Sequence, residues 1–304
     1  MLDVTRLRVL AAVARHGSVT AAAKALNYAQ PSVSHHLARL ESETGTRLVE
    51  RSGRGIRLTE AGRLLAGRAE EILGRLDAAE QELAAHVGQR EERIRVAGFP
   101  SALATVVPAA AARLRAGHPG AELLLTEAEP QAAVRLLRSG RVDVALVFRY
   151  AQHGAAHRPD GEDGDGVRAR LLLDEPVHLV AQAGSPPPPG TAGSRLAGYS
   201  GHRWIAGCER CRAHLLWQCE IAGFTPLIAF TTDDVLVAQA LAAAGLGVAL
   251  LPDLALRAAR HPGVRTEPLA GARRQVLALT YGEPPGPPGA ELLLGALAEA
   301  GAAP

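Results

Sequence analysis

Residues 28–41 read YAQPSVSHHLARLE. A glutamine, two serines, two adjacent histidines and an arginine crowd a stretch in which Val33, Leu37 and Leu40 recur at helical spacing. Three chemistries compete for it: a metal site, a Ser/His catalytic pair, or the reading edge of a DNA-binding helix. At about 100° per residue the apolar triplet defines one side of the helix. His35 then points almost opposite, beside Pro31, Ser32, Ala38 and Arg39, and His36 lies on the flank. Adjacent histidines project about 100° apart and cannot share an ion as an i,i+4 pair does. A Ser/His catalyst needs a third orienting group and an oxyanion site, and the stretch suggests neither. Short polar groups near a helix N-terminus, with a cation alongside, suit base edges and phosphates. Gln30, Pro31, Ser32, Ser34, His35 and Arg39 are therefore the expected DNA contacts.

The flanking residues supply the frame. Leu7, Leu10, Ala11 and Ala14 mark a first helix that stops at Gly17. Ser18 can cap a second helix with Val19, Ala22, Ala23 and Leu26 on one face. A tight turn at Asn27-Tyr28-Ala29 leads into the third helix, with Pro31 tolerated in its first turn. ERSGRGIRLT (50–59) then reads as a small β-wing, whose Arg51, Arg54 and Arg57 are candidate phosphate or minor-groove contacts. Thr59 can cap a long fourth helix running to about Val87. Its apolar residues Leu65, Ala69, Ile72, Leu76, Ala79 and Leu83 alternate spacings of four and three, an a/d seam that predicts pairing with a second copy of the chain. A stripe packed onto its own domain is the alternative.

From Arg93 the pattern changes to alternating strands and helices: strand 94–99, helix 102–116, strand 121–128, helix 131–139 and strand 142–148. Such alternation with short links predicts a parallel sheet. QHGAAHRPDGEDGDGV (152–167) reads as a surface loop and SPPPPG (185–190) as a stiff spacer. Strands near 170–182, 203–206, 227–231 and 247–251, with helices near 209–222 and 234–244, form a second unit. Strand 274–281 and a helix near 289–299 return to the first.

Composition agrees with this division. Over residues 1–63 ten cations face five anions, although the whole chain carries only +2, so a basic end joins a slightly acidic body. That imbalance suits an anionic polymer as partner. Three cysteines, all between 208 and 219, make no extracellular disulfide framework. The start imitates a signal peptide, but Arg8 and Arg15 interrupt its apolar run. In VLVAQALAAAGLGVALLP (235–252) the Gly245/Gly247 pair and Pro252 favour a buried helix, a turn and a strand over a membrane span. A cytoplasmic location follows.

The stretch GSVTAAAKALNYAQPSVSHHLARLESETGTRLVERSGRGIRLTEAGRLL (17–65) resembles the LysR-type transcriptional regulators. Its Gly-Ser, Ala-Ala, Gln-Pro-x-Val-Ser, Leu-Glu and Leu-Thr-x-Ala-Gly elements stand in family order, with weaker echoes at 117–125, 140–146, 222–226 and 243–252. The resemblance implies an α/β protein with three parts: a winged helix-turn-helix over 1–58, a linker dimerisation helix over 59–90 and an effector-binding domain over 91–304. That domain would be two-lobed like a periplasmic binding protein, with lobe I about 91–165 and 265–304 and lobe II about 166–264. It implies a regulator rather than an enzyme, acting as a homodimer or homotetramer on an interrupted palindrome, with RNA polymerase as a further partner. No cofactor is expected beyond a small-molecule effector. The resemblance places that effector between the lobes, against Ser101, Ala102 and the 128–130 turn with Pro130 on one side, and Gly207 and Cys208 on the other. Two departures stand out. Ala29 replaces the Ser or Thr that usually precedes Gln-Pro and cannot cap, and His35 and His36 replace the usual Arg or Gln.

GCERCRAHLLWQC (207–219) leaves three readings open. Its cysteines are pocket-wall hydrophobes; or Cys208, Cys211 and Cys219 make a thiol-based redox-sensing regulator; or Cys208, Cys211, His214 and Cys219 hold a metal. Cys211 and Cys219 lie two helical turns apart, too far for a disulfide within a helix. A solute-binding protein or enzyme with a coincidental helix-turn-helix is the rival from another class.

Overall fold

The structure is a computed structural model that describes residues 2–52, 55–86, 93–150, 166–188, 195–284 and 286–302. Arg54, the side chain of Arg51, most of the 152–167 stretch and the end of the 185–190 spacer lie outside the described residues. Two compact units divide the chain, Met1–Glu91 with Arg138–Val142, and the remainder.

The first unit opens with α1 (Val4–His16), α2 (Val19–Leu26) and α3 (Gln30–Thr44). Gly17 ends α1 in the left-handed region, and Ser18 caps α2 by accepting from the Ala21 N–H at 3.4 Å. Asp3 caps α1 by accepting from the Arg6 N–H, a start signal absent from the sequence reading. Asn27 holds φ 55° at the turn into α3, a conformation that asparagine tolerates better than most side chains. Ala29 makes no side-chain cap, as its methyl group dictates. Val33, Leu37 and Leu40 are buried, as their spacing predicted. The wing follows as β1 (Val49–Ser52) and β2 (Gly55–Leu58), an antiparallel pair.

The last residue of the opening stretch fastens this wing. The Glu41 carboxylate accepts from the Leu48 and Val49 N–H groups at 2.7 and 3.2 Å, where the chain turns from α3 into β1. Thr59 donates to the Arg47 carbonyl and caps α4 (Glu60–His86) through the Gly62 N–H. Gly62 packs so tightly that a Cβ there would collide with the Leu48 carbonyl oxygen. The Leu-Thr-x-Ala-Gly element thus marks the point where a helix start meets the wing's backbone.

The second unit holds β3 (Arg93–Gly98), α5 (Pro100–Leu103), α6 (Val106–Gly117), β4 (Glu122–Glu127), α7 (Pro130–Arg138) and β5 (Val144–Tyr150). It continues with β6 (Val167–Gln182), β7 (Arg203–Ala206), α8 (Glu209–Ile221), β8 (Leu227–Thr231), α9 (Val235–Ala243), β9 (Val248–Pro252), α10 (Asp253–Ala258), β10 (Val264–Tyr281) and α11 (Pro288–Ala302). The strands order β4-β3-β5-β10-β6-β9-β7-β8. The parallel pairing expected of the strands near 94–99, 121–128 and 142–148 is present, β3 pairing in parallel with β4 and with β5, but the complete sheet is mixed. Two parallel groups, β4-β3-β5 and β9-β7-β8, are joined by the antiparallel strands β10 and β6. These two strands link the groups: β10 pairs with β5 over 274–279, β6 pairs with β9 over 177–180, and the two pair with each other along most of their length. Their pairing breaks between Pro268 and Arg273, where Gly271 takes φ +75°. Lobe I packs around Phe99, Phe148 and Leu293, and lobe II around Trp204 and Leu215.

The single helix expected over 102–116 is two. Pro108 inside a continuous helix would remove one hydrogen bond and clash with the preceding turn. The chain instead breaks at Ala104-Thr105, and the Thr105 hydroxyl donates to the Ser101 carbonyl at 2.5 Å. The 235–252 run divides into α9 and β9. Among the described residues no helix is long and apolar enough to cross a membrane.

Replacing Glu41 by Ala strands two amide donors at the wing root. The N-terminal unit should lose about 2–3 kcal/mol, typical of hydrogen bonds to a charged acceptor. Hydrogen exchange over residues 47–58 should accelerate, and Glu41→Gln, which keeps an acceptor, should recover most of the protection.

Candidate nucleic-acid interface and inter-lobe cleft

On α3, the residues opposite the buried triplet stand free of the core. Gln30, Pro31, Ser32, Ser34, His35 and Arg39 are all exposed. His36 is half-buried, its ring 6.0 Å from that of Tyr28 at an interplanar angle of 31°. The two histidines therefore divide as their angular spacing predicted, one facing outward and one resting on the turn. Arg39 lies 3.6 Å from Glu43, which also meets Arg6 at 3.0 Å. In the wing, Arg57 makes a 2.8 Å ion pair with Glu50. Both cations are exposed, so these pairs contribute little to stability and can exchange for phosphate.

The seam on α4 divides in two. Leu65 and Ala69 pack with Leu73 against Leu7 and Ala11 of α1, and Ala69 is fully buried. They are removed from the expected dimerisation set, because α1 has a second apolar face that occupies them. Ile72, Leu76, Ala79 and Leu83 remain exposed, Leu83 at 65%.

Between the lobes lies a cleft with a cavity of about 60 Å³. Small-molecule pockets begin at roughly 300 Å³, so an ordinary effector requires the lobes to part. Ser101, Gly207 and Cys208 line the cleft, as expected. Ala102 does not, because it is fully buried in the lobe I core. Pro130 is buried at the start of α7, and its neighbour Glu129 faces the cleft in its place. Desolvation raises the Glu129 carboxyl above its usual pKa, and the charge of Asp233 across the cleft adds to the shift.

Several cleft residues escaped sequence reading. The Arg274 guanidinium is 2% exposed and meets Glu175 at 2.6 Å. It also donates to the Ser101 hydroxyl at 3.1 Å and lies 4.9 and 4.8 Å from the ring centres of Phe99 and Phe148. Glu175 uses its second oxygen to accept from the Leu254 N–H at 2.6 Å. No local sequence pattern pairs them: Arg273-Arg274 on β10 meet Asp174-Glu175 on β6 only once the strands pair, and strand alternation then sends one ion pair outward and the other in. Tyr150, on β5, stacks its ring on His214 at 3.9 Å and donates its hydroxyl to Cys211 Sγ at 3.4 Å. Burial raises the Tyr150 pKa well above 10, so it remains a donor.

The four residues considered as a metal set do not converge. Cys219 is buried in the lobe II core, where burial pushes its thiol up to about 12. His214 is buried against Tyr150 and Gln218. Cys208 and Cys211 alone reach the cleft. Among the described residues no group of three or more His, Cys, Asp and Glu could hold a metal.

Comparison with known proteins agrees with this architecture. The family model described as a bacterial regulatory helix-turn-helix protein of the lysR family matches residues 4–63. The LysR substrate binding domain matches residues 88–302. A probable HTH-type transcriptional regulator, LrrA of Synechococcus elongatus, is 29% identical over 84% of this chain and 82% of its own. YofA of Bacillus subtilis, an HTH-type transcriptional regulator, is 29% identical over 84% and 83%. Among solved structures, CbnR, a LysR family transcriptional regulator, superposes with a TM-score of 0.68 at 21% identity, over 99% of this chain and 100% of that one. Full-length CbnR complexed with its target DNA gives 0.67 at 21% identity, over 98% and 100%.

Burial pushes the His214 imidazole down to about 4, against 6.5 for a free side chain. The unfolded state therefore holds more protons between those two pH values. The stability that neutral His214 carries is complete above about 6.5 and drains away as pH falls toward 4. Between about pH 7 and pH 5 the effector unit should lose about 2 kcal/mol through this residue. Melting curves of His214→Phe, which keeps the ring stack, should lack that share of the acid sensitivity.

Proposed function

The chain belongs to the LysR family of transcriptional regulators, and on that premise we propose that it reads DNA through the outer face of α3. The carrying observation is the division of that helix: Val33, Leu37 and Leu40 buried, and Gln30, Ser32, Ser34, His35 and Arg39 presented together. Short polar side chains at the N-terminal end of a recognition helix reach base edges in the major groove. Arg39 sits one turn further along, suited to phosphate, and wing Arg57 to the backbone or minor groove beside it. Arg51 and Arg54 join Arg57 in this assignment on sequence grounds.

Two copies pair through the exposed part of the α4 seam, Ile72, Leu76, Ala79 and Leu83, and place two α3 helices on an interrupted palindrome. The linker role begins at Thr59, which caps α4, and the effector module follows from about residue 91. Its lobe boundary runs through the break in the β6–β10 pairing rather than between strands. A small molecule enters the cleft at Ser101, Gly207, Cys208 and Glu129, and its closure shifts how the dimer sits on DNA. A cytoplasmic location and contact with RNA polymerase complete the reading.

A gel-shift with the gene's own upstream region tests it. His35→Ala combined with Arg39→Ala should weaken binding tenfold or more, about 1.4 kcal/mol. His36→Ala should change it less than about twofold. Equal losses would remove the assigned facing. Leu76→Glu with Leu83→Glu should yield a monomer by light scattering; an unchanged dimer would relocate the interface.

A further inference from the structure

The DNA-reading function makes no use of the thiols in the cleft. Cys208 is the N-cap of α8, with an extended backbone (φ −54°, ψ 168°), and Cys211 lies in the first turn. Their sulfurs are 3.0 Å apart, closer than non-bonded sulfurs ordinarily rest. Residues three apart within a helix hold their Cβ atoms about 5–6 Å apart, wider than the roughly 3.5–4.5 Å of a disulfide. Cys208 escapes that limit because it stands outside the helix and can swing toward Cys211. Gly207 leaves the room: a Cβ there would press on Cys211 Cβ at 3.2 Å.

The same turn is where the lobes meet. Tyr150 of β5, in lobe I, donates to Cys211 Sγ, and Arg210 of α8, in lobe II, donates to the Phe148 carbonyl at 2.8 Å. Cys211 is held below the usual thiol pKa, first by the Cys208 S–H donating to it, then by the Tyr150 hydroxyl and the Arg274 charge, against the opposing effect of burial. Cys208, as the donor of the pair, is raised. Both cysteines line the cleft.

We propose that Cys208 and Cys211 form a dithiol site that reacts reversibly with small disulfides entering the cleft, and that its oxidation state sets the contact between the lobes. The inference rests on the reading of the cleft as the site that governs DNA binding. The Cys211 thiolate attacks one sulfur of RSSR; a Cys211–SR bond forms, the RS–SR bond breaks and RS⁻ departs. Cys208 then loses its proton to that thiolate and attacks the Cys211 sulfur. The Cys208–Cys211 bond forms and the second RS⁻ leaves, taking a proton from solvent. Two electrons pass from the cysteine pair to RSSR, which becomes two RSH. The disulfide removes the anionic acceptor that Tyr150 holds across the lobes, so oxidation loosens one of their hydrogen bonds. Cys219, buried in lobe II, takes no part.

The test places the full-length protein in buffers of defined reduced and oxidised glutathione, traps free thiols with a maleimide and maps the peptides. Cys208 and Cys211 should disappear from the thiol pool together, joined to each other, and return on reduction, with Cys219 free throughout. Promoter affinity should differ fivefold or more between the two states. Cys208→Ser and Cys211→Ala should each abolish that difference, and Cys219→Ser should preserve it. Tyr150→Phe should slow the reaction at neutral pH. A pair that stays reduced in fully oxidised buffer, a bond to Cys219, or equal affinity in both states would overturn the proposal. Thiol mapping needs no DNA, so loss of promoter binding in every state would indict the DNA-reading assignment instead.

Discussion

Arg274 and Glu175 meet at 2.6 Å on neighbouring strands, both almost fully buried, close to the break where β6 and β10 pass from one lobe to the other. Taking two charges out of water is expensive, and their attraction compensates only when the remaining donors and acceptors are also satisfied. Here they are: Ser101 and the two phenyl rings attend the guanidinium, and the Leu254 N–H takes the second carboxylate oxygen. One interaction therefore ties together β10, β6, the start of α5 and the start of α10. Removing either partner alone would leave an uncompensated buried charge, a loss of about 3–5 kcal/mol. The pair also sets the chemistry of the cleft, because the cation lining it is already committed to a carboxylate.

The helix-turn-helix unit depends on a different economy, close backbone approach. Glu41 gathers two amide donors at the wing root, and Gly62 lets α4 start directly against the Leu48 carbonyl. α1 is apolar on two sides, one packed into the helix-turn-helix core and the other on α4. That double use shortens the apolar seam left exposed on α4, and joins α3 to α4 through one small core.

Much of this was legible in the residues. The helix boundaries at Gly17 and Ser18 followed from cap chemistry, and the facing of α3 from period 3.6 applied to Val33, Leu37 and Leu40. Where the reading failed, a long-range partner intervened. Leu65 and Ala69 have seam spacing, yet α1 takes them. Ala102 and Pro130 stand in the expected segments, but neighbouring backbone turns them into the core. Arg274 and Glu175 are ninety-nine positions apart, and no local pattern pairs residues at that distance.

The sequence by itself determined the order of elements, the basic N-terminal end and the outward face of α3, because these depend on interactions within a few residues. Only the tertiary structure decided that β6 and β10 run antiparallel through both lobes, that Arg274 is buried against Glu175, and that Tyr150 reaches Cys211. Each of those is a contact between distant segments, selected by burial of the whole sheet rather than by any local preference. The stretch YAQPSVSHHLARLE spans both cases. Its histidines were assigned by helical period, whereas its final glutamate gained its role only when the chain folded back from Leu48.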